Sequence, residues 1–394
     1  MSPGVPSPTP TIAELATELI DRGIRRVHVL AWRDLDDPDA GGSEVHADEF
    51  MRRWAAAGLV VLHRTSHAEG LPDLAVRNGY DVVRKGSRYS VFPRTVLSEL
   101  TRRMGRYDAL VEVWNGVPWF SPVWCRAPRV TMLHHVHGPM WGQILPGPLA
   151  SFGRVLEARI APPFYRSTET VTPSSATRDE LLGLGFRPEL VTAVDNGIDP
   201  FFSPGGAQAD LPTIVAVGRL APVKRFGLVL DAMERVHARV PEARLVIVGE
   251  GPLRPELEDR VRSAGAQGWI TFLGHVDRDE LREQYRRAWV VTSASLAEGW
   301  GLTMTEASAC GAPAVATDIS GHRCSVVDGV TGVLTEPAGL GDALADLLLD
   351  HERRERMRAA GLARAATLTW ESSARGLLDV LARVVRQRSD RGRS

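Results

Sequence analysis

The sequence predicts an α/β protein of two domains, each built on a parallel sheet. Short apolar runs alternate with helical periodicity along nearly the whole chain, the pattern of repeated βαβ units. At 394 residues the chain has room for two separate cores. One segment, Pro200-Phe-Phe-Ser-Pro-Gly-Gly-Ala-Gln-Ala-Asp-Leu-Pro212, breaks the alternation with turn-forming residues and reads as the linker.

The first domain is read over residues 1–203, with strands near Val27–Trp32, Val60–Arg64, Ala109–Val113, Val130–His134 and Thr170–Pro173. The second covers 204–368, with strands near 213–218, 244–249, 270–274, 289–294 and 313–317. A final amphipathic helix is expected from about Trp370 to Val385, followed by a charged, disordered tail, Arg386–Ser394. Residues 1–10 are Pro/Ser-rich and lack the apolar core of a signal peptide. No apolar run is long enough to span a bilayer. Three widely spaced cysteines, Cys125, Cys310 and Cys324, form neither a disulfide framework nor a zinc pattern. These features lead us to expect a cytoplasmic protein. A formal net charge of −1 gives no reason to expect a nucleic-acid partner.

The most informative segment is Glu298-Gly-Trp-Gly-Leu-Thr-Met-Thr-Glu306. A strand-like run, Trp289–Ser295, leads in, and a short helix from about Thr303 to Cys310 leads out, stopped by Gly311 and Pro313. Gly299 and Gly301 allow close backbone approach to a ligand, and the helix start at Leu302 and Thr303 offers amide groups suited to a diphosphate. Two carboxylates beside an anion site suit hydroxyl groups instead, those of a ribose and a sugar. Thr303-x-x-Glu306 also fits a capping box, in which Glu306 merely closes its own helix start.

Upstream, Gly218-Arg-Leu-Ala-Pro-Val-Lys224 follows the strand-like Thr213–Gly218 and precedes a helix carrying Phe226, Val229, Leu230 and Met233. Arg219 and Lys224 thus sit at a strand–loop–helix mouth, where open α/β sheets bind ligands. The chain has 47 Lys plus Arg, yet Lys85 and Lys224 are its only lysines. A compact ammonium at this mouth therefore suggests a specific point charge, against the alternative of a solvated surface lysine.

Gly41-Gly-Ser-Glu44, Asn196-Gly-Ile-Asp199, Gly218-Arg219…Lys224, Leu245–Pro252, Phe272-Leu-Gly-His-Val276, the Glu298/Glu306 pair and Asp328–Gly332 stand in one order across nearly the whole chain. Together they resemble the family 4 retaining glycosyltransferases of the GT-B architecture. The resemblance implies two Rossmann-like domains facing across a cleft, the acceptor on the first and the nucleotide sugar on the second, with the C-terminal helix returning to the first domain. It implies retaining, metal-independent transfer of a hexose-type sugar from a nucleoside diphosphate, UDP before GDP, to a hydroxyl acceptor such as a small-molecule, natural-product or envelope glycoside. No cofactor is expected.

Carried residue by residue, the resemblance gives catalytic roles to Glu298, His134, Arg219 and Lys224. It places the donor against Gly41, Gly42, Gly218, Arg219, Lys224, Gly249, Val276, Glu298, Gly299, Gly301, Leu302, Thr303 and Glu306. Glu306 would hold the ribose, Glu298 the sugar, and backbone near Val276 the base. A nucleotide-sugar epimerase on the same fold and a non-catalytic nucleotide-sugar-binding protein are the alternatives.

Other constellations carry less weight. Gly41-Gly42 also fits an ordinary βα turn, and Glu44 a helix start. Asp34-Leu-Asp36 has the spacing of a metal-binding D-x-D, but its place after the first strand favours a solvated turn. His134, His135 and His137 lack a carboxylate or cysteine at ligand spacing, so no metal site is read there; His135 and His137 would line the acceptor side or simply pack. Gly249-Glu-Gly251 lacks the third glycine of a dinucleotide fingerprint, since position 254 is Arg. Residues 84–106 interleave Arg84, Lys85, Arg88, Arg94, Arg102, Arg103 and Arg106 with Tyr89, Phe92, Val96, Leu97 and Leu100. This stretch fits a patch for an anionic membrane or acceptor, or a solvated face of an arginine-rich protein, which is slightly preferred.

Overall fold

The structure, a computed structural model, describes residues 9–38 and 40–391. Its first sheet holds β1 (Arg26–Leu30), β2 (Val60–Thr65), β3 (Leu74–Arg77), β4 (Tyr80–Arg84), β5 (Ala109–Trp114), β6 (Arg129–Leu133), β7 (Thr170–Thr172) and β8 (Val191–Ala193), in the order β3-β4-β2-β1-β5-β6-β7-β8. The second holds β9 (Thr213–Val217), β10 (Arg244–Val248), β11 (Ile270–Gly274), β12 (Val290–Ser293), β13 (Ala314–Thr317) and β14 (Gly332–Thr335), in the order β11-β10-β9-β12-β13-β14. Every pairing is parallel except β3–β4. That hairpin, absent from the expected strands, turns through Asn78 and Gly79, both at positive φ, so the Asn-Gly dipeptide was its sequence signal.

Helices cover both faces of each sheet, which is why β5 is buried at all six positions and reads as a continuous apolar run apart from Glu112. Strand order reverses between β1 and β5 in one sheet and between β9 and β12 in the other. Open α/β sheets bind ligands beyond the carboxyl ends at such points, and here the two points face one another.

The C-terminal helix, Trp370–Arg391, returns to the first domain. Its Leu377, Leu378, Leu381 and Val385 join Val27, Val29 and Val111 in one core, and the Trp54 indole donates to the Ala374 carbonyl at 3.0 Å. It runs past Val385, where a disordered tail is expected from the sequence. Arg386 forks onto Glu18 with two contacts of 2.8 Å, and Arg388 donates to the Arg126 carbonyl at 2.7 Å. Charged residues with no apolar face to bury thus continue the helix by pairing; the remainder of the expected tail, 392–394, lies outside the described residues. The two connections between the domains touch where they cross. Ile198 N–H bonds the Leu368 carbonyl at 3.0 Å, and a Cβ on Gly197 would lie 2.2 Å from the Trp370 nitrogen.

Asp34 does not lie in a solvated turn, although Asp36 beside it is exposed. Asp34 is buried, and Arg84 bonds Asp34 at 2.7 Å and Asp36 at 2.9 Å, with Arg77 also paired to Asp36. A buried carboxylate needs a counter-charge, and β3 and β4 bring one. The same contact removes Arg84 from the basic stretch, because its side chain is inside the protein. Cys125, Cys310 and Cys324 are buried and free. Among the described residues no helix is long and apolar enough to cross a membrane.

Candidate functional site

A cavity of about 610 Å³ lies between the domains at the carboxyl ends of both sheets. That size suits a nucleotide-sugar-scale ligand. Its second-domain wall is the loop from β9 and the loop from β12. After β9 the chain turns through Pro222–Lys224 into Arg225, whose φ of 49° is left-handed. The Arg225 side chain anchors that strained turn by donating to the carbonyls of Ala294 at 2.6 Å and Ser295 at 3.0 Å. This clamp ties the two loops together and sets the Lys224 ammonium against the Glu298 carboxylate, with which it is hydrogen bonded. Ser295 Oγ donates to the same carboxylate oxygen at 2.7 Å.

Burial pushes the Glu298 carboxyl upward, but Lys224 and His322 outweigh it, and its pKa is held below the usual carboxylate value. His322 lies behind the loop, its Nδ1 2.6 Å from the Thr317 carbonyl. At Gly299 the backbone closely approaches the opposite domain. A Cβ there would stand 2.9 Å from the His134 carbonyl of the opposite domain, so glycine is needed for the domains to meet. A Cβ on Gly42 would similarly come within 3.0 Å of the Leu302 side chain. Gly301 has a φ of 83° and caps the helix Leu302–Ala309.

That cap corrects one reading of Glu306. With Gly301 as N-cap, Thr303 is already inside the helix and Glu306 is too far along to close a capping box. Glu306 instead accepts from the Tyr285 hydroxyl at 3.0 Å. Burial raises its pKa to about 7, and Asp199 adds to the rise, while Tyr285 and Arg278 oppose it.

The first-domain wall carries the Gly41-Gly42 loop and the end of β6. Glu44 is buried and accepts from the Gly41 N–H at 2.7 Å, so it fixes the helix start at Gly42. The His134 ring is buried, edge-on to His46 at 5.3 Å, and neither of its nitrogens has a protein partner. Burial, reinforced by His46 and His135, drives its pKa well below the ordinary value, so it is neutral at physiological pH. His46 Nε2 lies 3.0 Å from Ser373 Oγ, which couples the returning helix to this corner. His135 and His137 stack at 4.4 Å. Buried Glu157 holds their loop by accepting from the N–H groups of His137 and Gly138 at 2.8 Å and from the Trp141 indole at 3.1 Å.

Of the residues the sequence singles out, Gly41, Gly42, His134, Arg219, Lys224, Glu298, Gly299, Gly301, Leu302 and Thr303 line the cavity. Gly218, Gly249, Val276 and Glu306 do not. Gly249 has a supporting place: a Cβ on it would lie 2.1 Å from the Gly218 carbonyl, so it lets the β9 and β10 loops pack together. Val276 is half-buried just after β11. Trp32, Arg33, Arg88 and Asn115 also line the cavity and were not picked out as site residues. Trp32 and Asn115 lie just beyond the carboxyl ends of β1 and β5, so strand ends at the switch point were the available signal.

The profile described as Glycosyltransferase Family 4 matches residues 40–201, and that of Glycosyl transferases group 1 matches 198–364. A D-inositol 3-phosphate glycosyltransferase of Kribbella flavida is 31% identical, covering 91% of this chain and 96% of that protein. A GDP-mannose-dependent α-(1-6)-phosphatidylinositol monomannoside mannosyltransferase of Mycobacterium tuberculosis is 29% identical over 87% of this chain and 95% of its own. Among solved structures, sucrose-phosphate synthase of Thermosynechococcus elongatus superimposes with a TM-score of 0.77 at 19% identity, covering 92% of this chain and all of that one. Anabaena HepE, solved with UDP and glucose, gives 0.70 at 18% identity, covering 91% of this chain and 99% of its own.

Proposed function

The chain belongs to the family 4 glycosyltransferases of the GT-B architecture, and from that premise we propose how its cleft moves a sugar. It is a nucleotide-sugar-dependent glycosyltransferase. The observation that carries it is the Lys224–Glu298 contact, set beside Arg219 and the helix start at Leu302. When a donor enters, its diphosphate takes the Lys224 ammonium and its sugar hydroxyls take the Glu298 carboxylate. One ion pair thereby separates into two charge-assisted contacts. Arg219, Lys224 and the helix N-terminus stabilise the charge that grows on the departing diphosphate.

These groups supply the charge that a divalent metal would otherwise supply, and Asp34 and Asp36 are engaged by Arg77 and Arg84. The transfer is therefore read as metal-independent. The sugar is retained in configuration, as the family resemblance implies. In this reading His134, neutral and with no hydrogen-bond partner on either ring nitrogen, meets the sugar from the first domain. Glu306 reads the ribose and backbone near Val276 the base. Domain closure at Gly42–Leu302 and His134–Gly299 excludes water from the donor.

UDP is the favoured nucleotide; GDP is the second reading, because the Mycobacterium tuberculosis relative is named as GDP-mannose-dependent. A thermal-shift screen of UDP, GDP, ADP and dTDP tests the donor, since a ligand at about 100 times its Kd adds about 2.7 kcal/mol. The function predicts that nucleoside diphosphate is released only when a hydroxyl acceptor is present. Acceptor-independent interconversion of the donor sugar would establish an epimerase, and binding without turnover a non-catalytic protein.

Peripheral contact with an anionic membrane is a second partner reading for residues 84–106. Tyr89, Leu97 and Leu100 are each more than half exposed, near Lys85, Arg102 and Arg103 in the sequence. Sedimentation with anionic vesicles should show binding that falls with salt; no binding at low salt leaves a solvated face.

A further inference from the structure

The His134 ring has no hydrogen bond of its own, since both nitrogens are buried and neither has a partner. The last torsion of a histidine side chain is soft and roughly two-fold, so a ring held by packing alone takes its plane from its neighbours. Among the described residues, the one aromatic ring against it is that of His46, edge-on at 5.3 Å with the two planes 85° apart. Such contact is directional, because the positive rim of one ring meets the negative face of the other. The plane of His134 therefore follows that of His46.

His46, by contrast, is tied. It stands on the helix that opens at Gly42, is buried, and has its Nε2 3.0 Å from Ser373 Oγ. The Trp370 ring packs on it at 5.4 Å. Trp370 and Ser373 form the first turn of the returning helix, directly after the two interdomain connections cross, where a Cβ on Gly197 would strike the Trp370 nitrogen. The Trp54 indole, on the Ala374 carbonyl, fastens the same two helices together. Burial lowers the His46 pKa to about 3, so this imidazole is neutral and acts through shape and one hydrogen bond rather than through charge. A phenylalanine would offer a similar edge, but a histidine can in addition be locked by a hydroxyl across the seam.

We infer that His46 is a positioning residue: locked by Ser373 and Trp370, it sets the plane of the His134 ring, so that the helix returning from the second domain orients the imidazole that meets the sugar. The inference rests on the transfer reading, in which His134 faces the donor sugar, and adds to it the device that aims that ring.

The test is calorimetric titration of the intact protein with UDP-glucose or GDP-mannose, whichever wild type binds, beside the corresponding bare nucleoside diphosphate. Ser373→Ala removes one hydroxyl and leaves a good helix former. It should weaken the nucleotide sugar about threefold to tenfold, as expected for one lost hydrogen bond, and change the bare diphosphate by less than about twofold. His46→Phe, which keeps a ring in place without the hydrogen bond, should do the same. The loss must also pass through His134: when His134→Ala is already present, adding Ser373→Ala should weaken the nucleotide sugar by less than about twofold.

A purely structural serine would lower the melting temperature without separating the two ligands. Wild-type affinity for the nucleotide sugar in either single variant, or the same loss from Ser373→Ala with and without His134→Ala, overturns the inference and leaves the transfer reading intact. Failure of wild type to bind UDP, GDP and both nucleotide sugars would refute the transfer reading itself, and the inference with it.

Discussion

Replacing Glu306 by Gln gives a test that the structure sharpens considerably. Burial lifts this carboxyl to about 7, so near neutral pH it is half protonated. Ribose hydroxyls donate to a carboxylate, and the protonated acid is the poorer acceptor. If only the ionised form binds well, the competent fraction is about nine-tenths at pH 8 and about one-tenth at pH 6. Donor affinity should therefore fall roughly tenfold across that window, about 1.4 kcal/mol.

The intact nucleotide sugar is the right ligand, because its phosphodiester-like phosphates do not titrate there, whereas the terminal phosphate of a free nucleoside diphosphate does. Calorimetric titration at several pH values should show the slope in wild type and a flat, weaker profile in Glu306→Gln. Tyr285→Phe removes a hydrogen bond that favours the ionised form, so its midpoint should move to higher pH.

Stability carries the opposite sign. A folded-state pKa raised from 4.5 to about 7 means the native protein binds more protons than the unfolded chain between those values, so this group's contribution weakens as pH rises through that window. The ribose assignment fails if the affinity of wild type is independent of pH, or if the slope survives in Glu306→Gln.

Other outcomes follow from the same geometry. Lys224→Ala should lower donor affinity, and rate still more, by about 1.5–3 kcal/mol per lost charge-assisted contact, and Lys224→Arg should recover part of it; a wild-type rate in the alanine variant would sink the diphosphate role. Excess EDTA should leave turnover within a small factor, whereas complete loss restored by Mn²⁺ would show the cationic cluster to be insufficient. Leu377→Ala, in the fully buried face of the returning helix, should cost about 3 kcal/mol in denaturant melts, and a change below about 1 kcal/mol would mean that the helix adds little to the first-domain core.

Much of the architecture was legible because it is written in local periods. Apolar runs such as Leu245–Val248 read as largely buried strands, and the linker 200–212 announces itself by composition. The donor side was legible for a related reason: Gly218–Lys224 and Glu298–Glu306 each follow a strand directly, so their chemistry lies within a few residues of a readable element. The β3–β4 hairpin is absent from the expected strands although Asn78-Gly79 marks it, because β3 is exposed and short and the buried positions of β4, Tyr80, Val82 and Arg84, alternate with other residues and end on a charged one.

What sequence could not decide is which distant groups meet. Lys224 and Glu298 are 74 positions apart, and their pairing depends on Arg225 clamping two loops across the β9–β12 switch. Asp34 reads as a solvated turn until Arg84, fifty positions on, is placed beside it by parallel β2–β4 pairing. The raised pKa of Glu306 comes from burial, with Asp199 adding to the rise and Tyr285 opposing it, which no local pattern encodes. Sequence by itself determined the elements and the donor motifs, because periodicity and turn chemistry act over a few residues. Only the tertiary structure decided the charge pairings, because solvation and Coulomb energies depend on distance in space rather than along the chain.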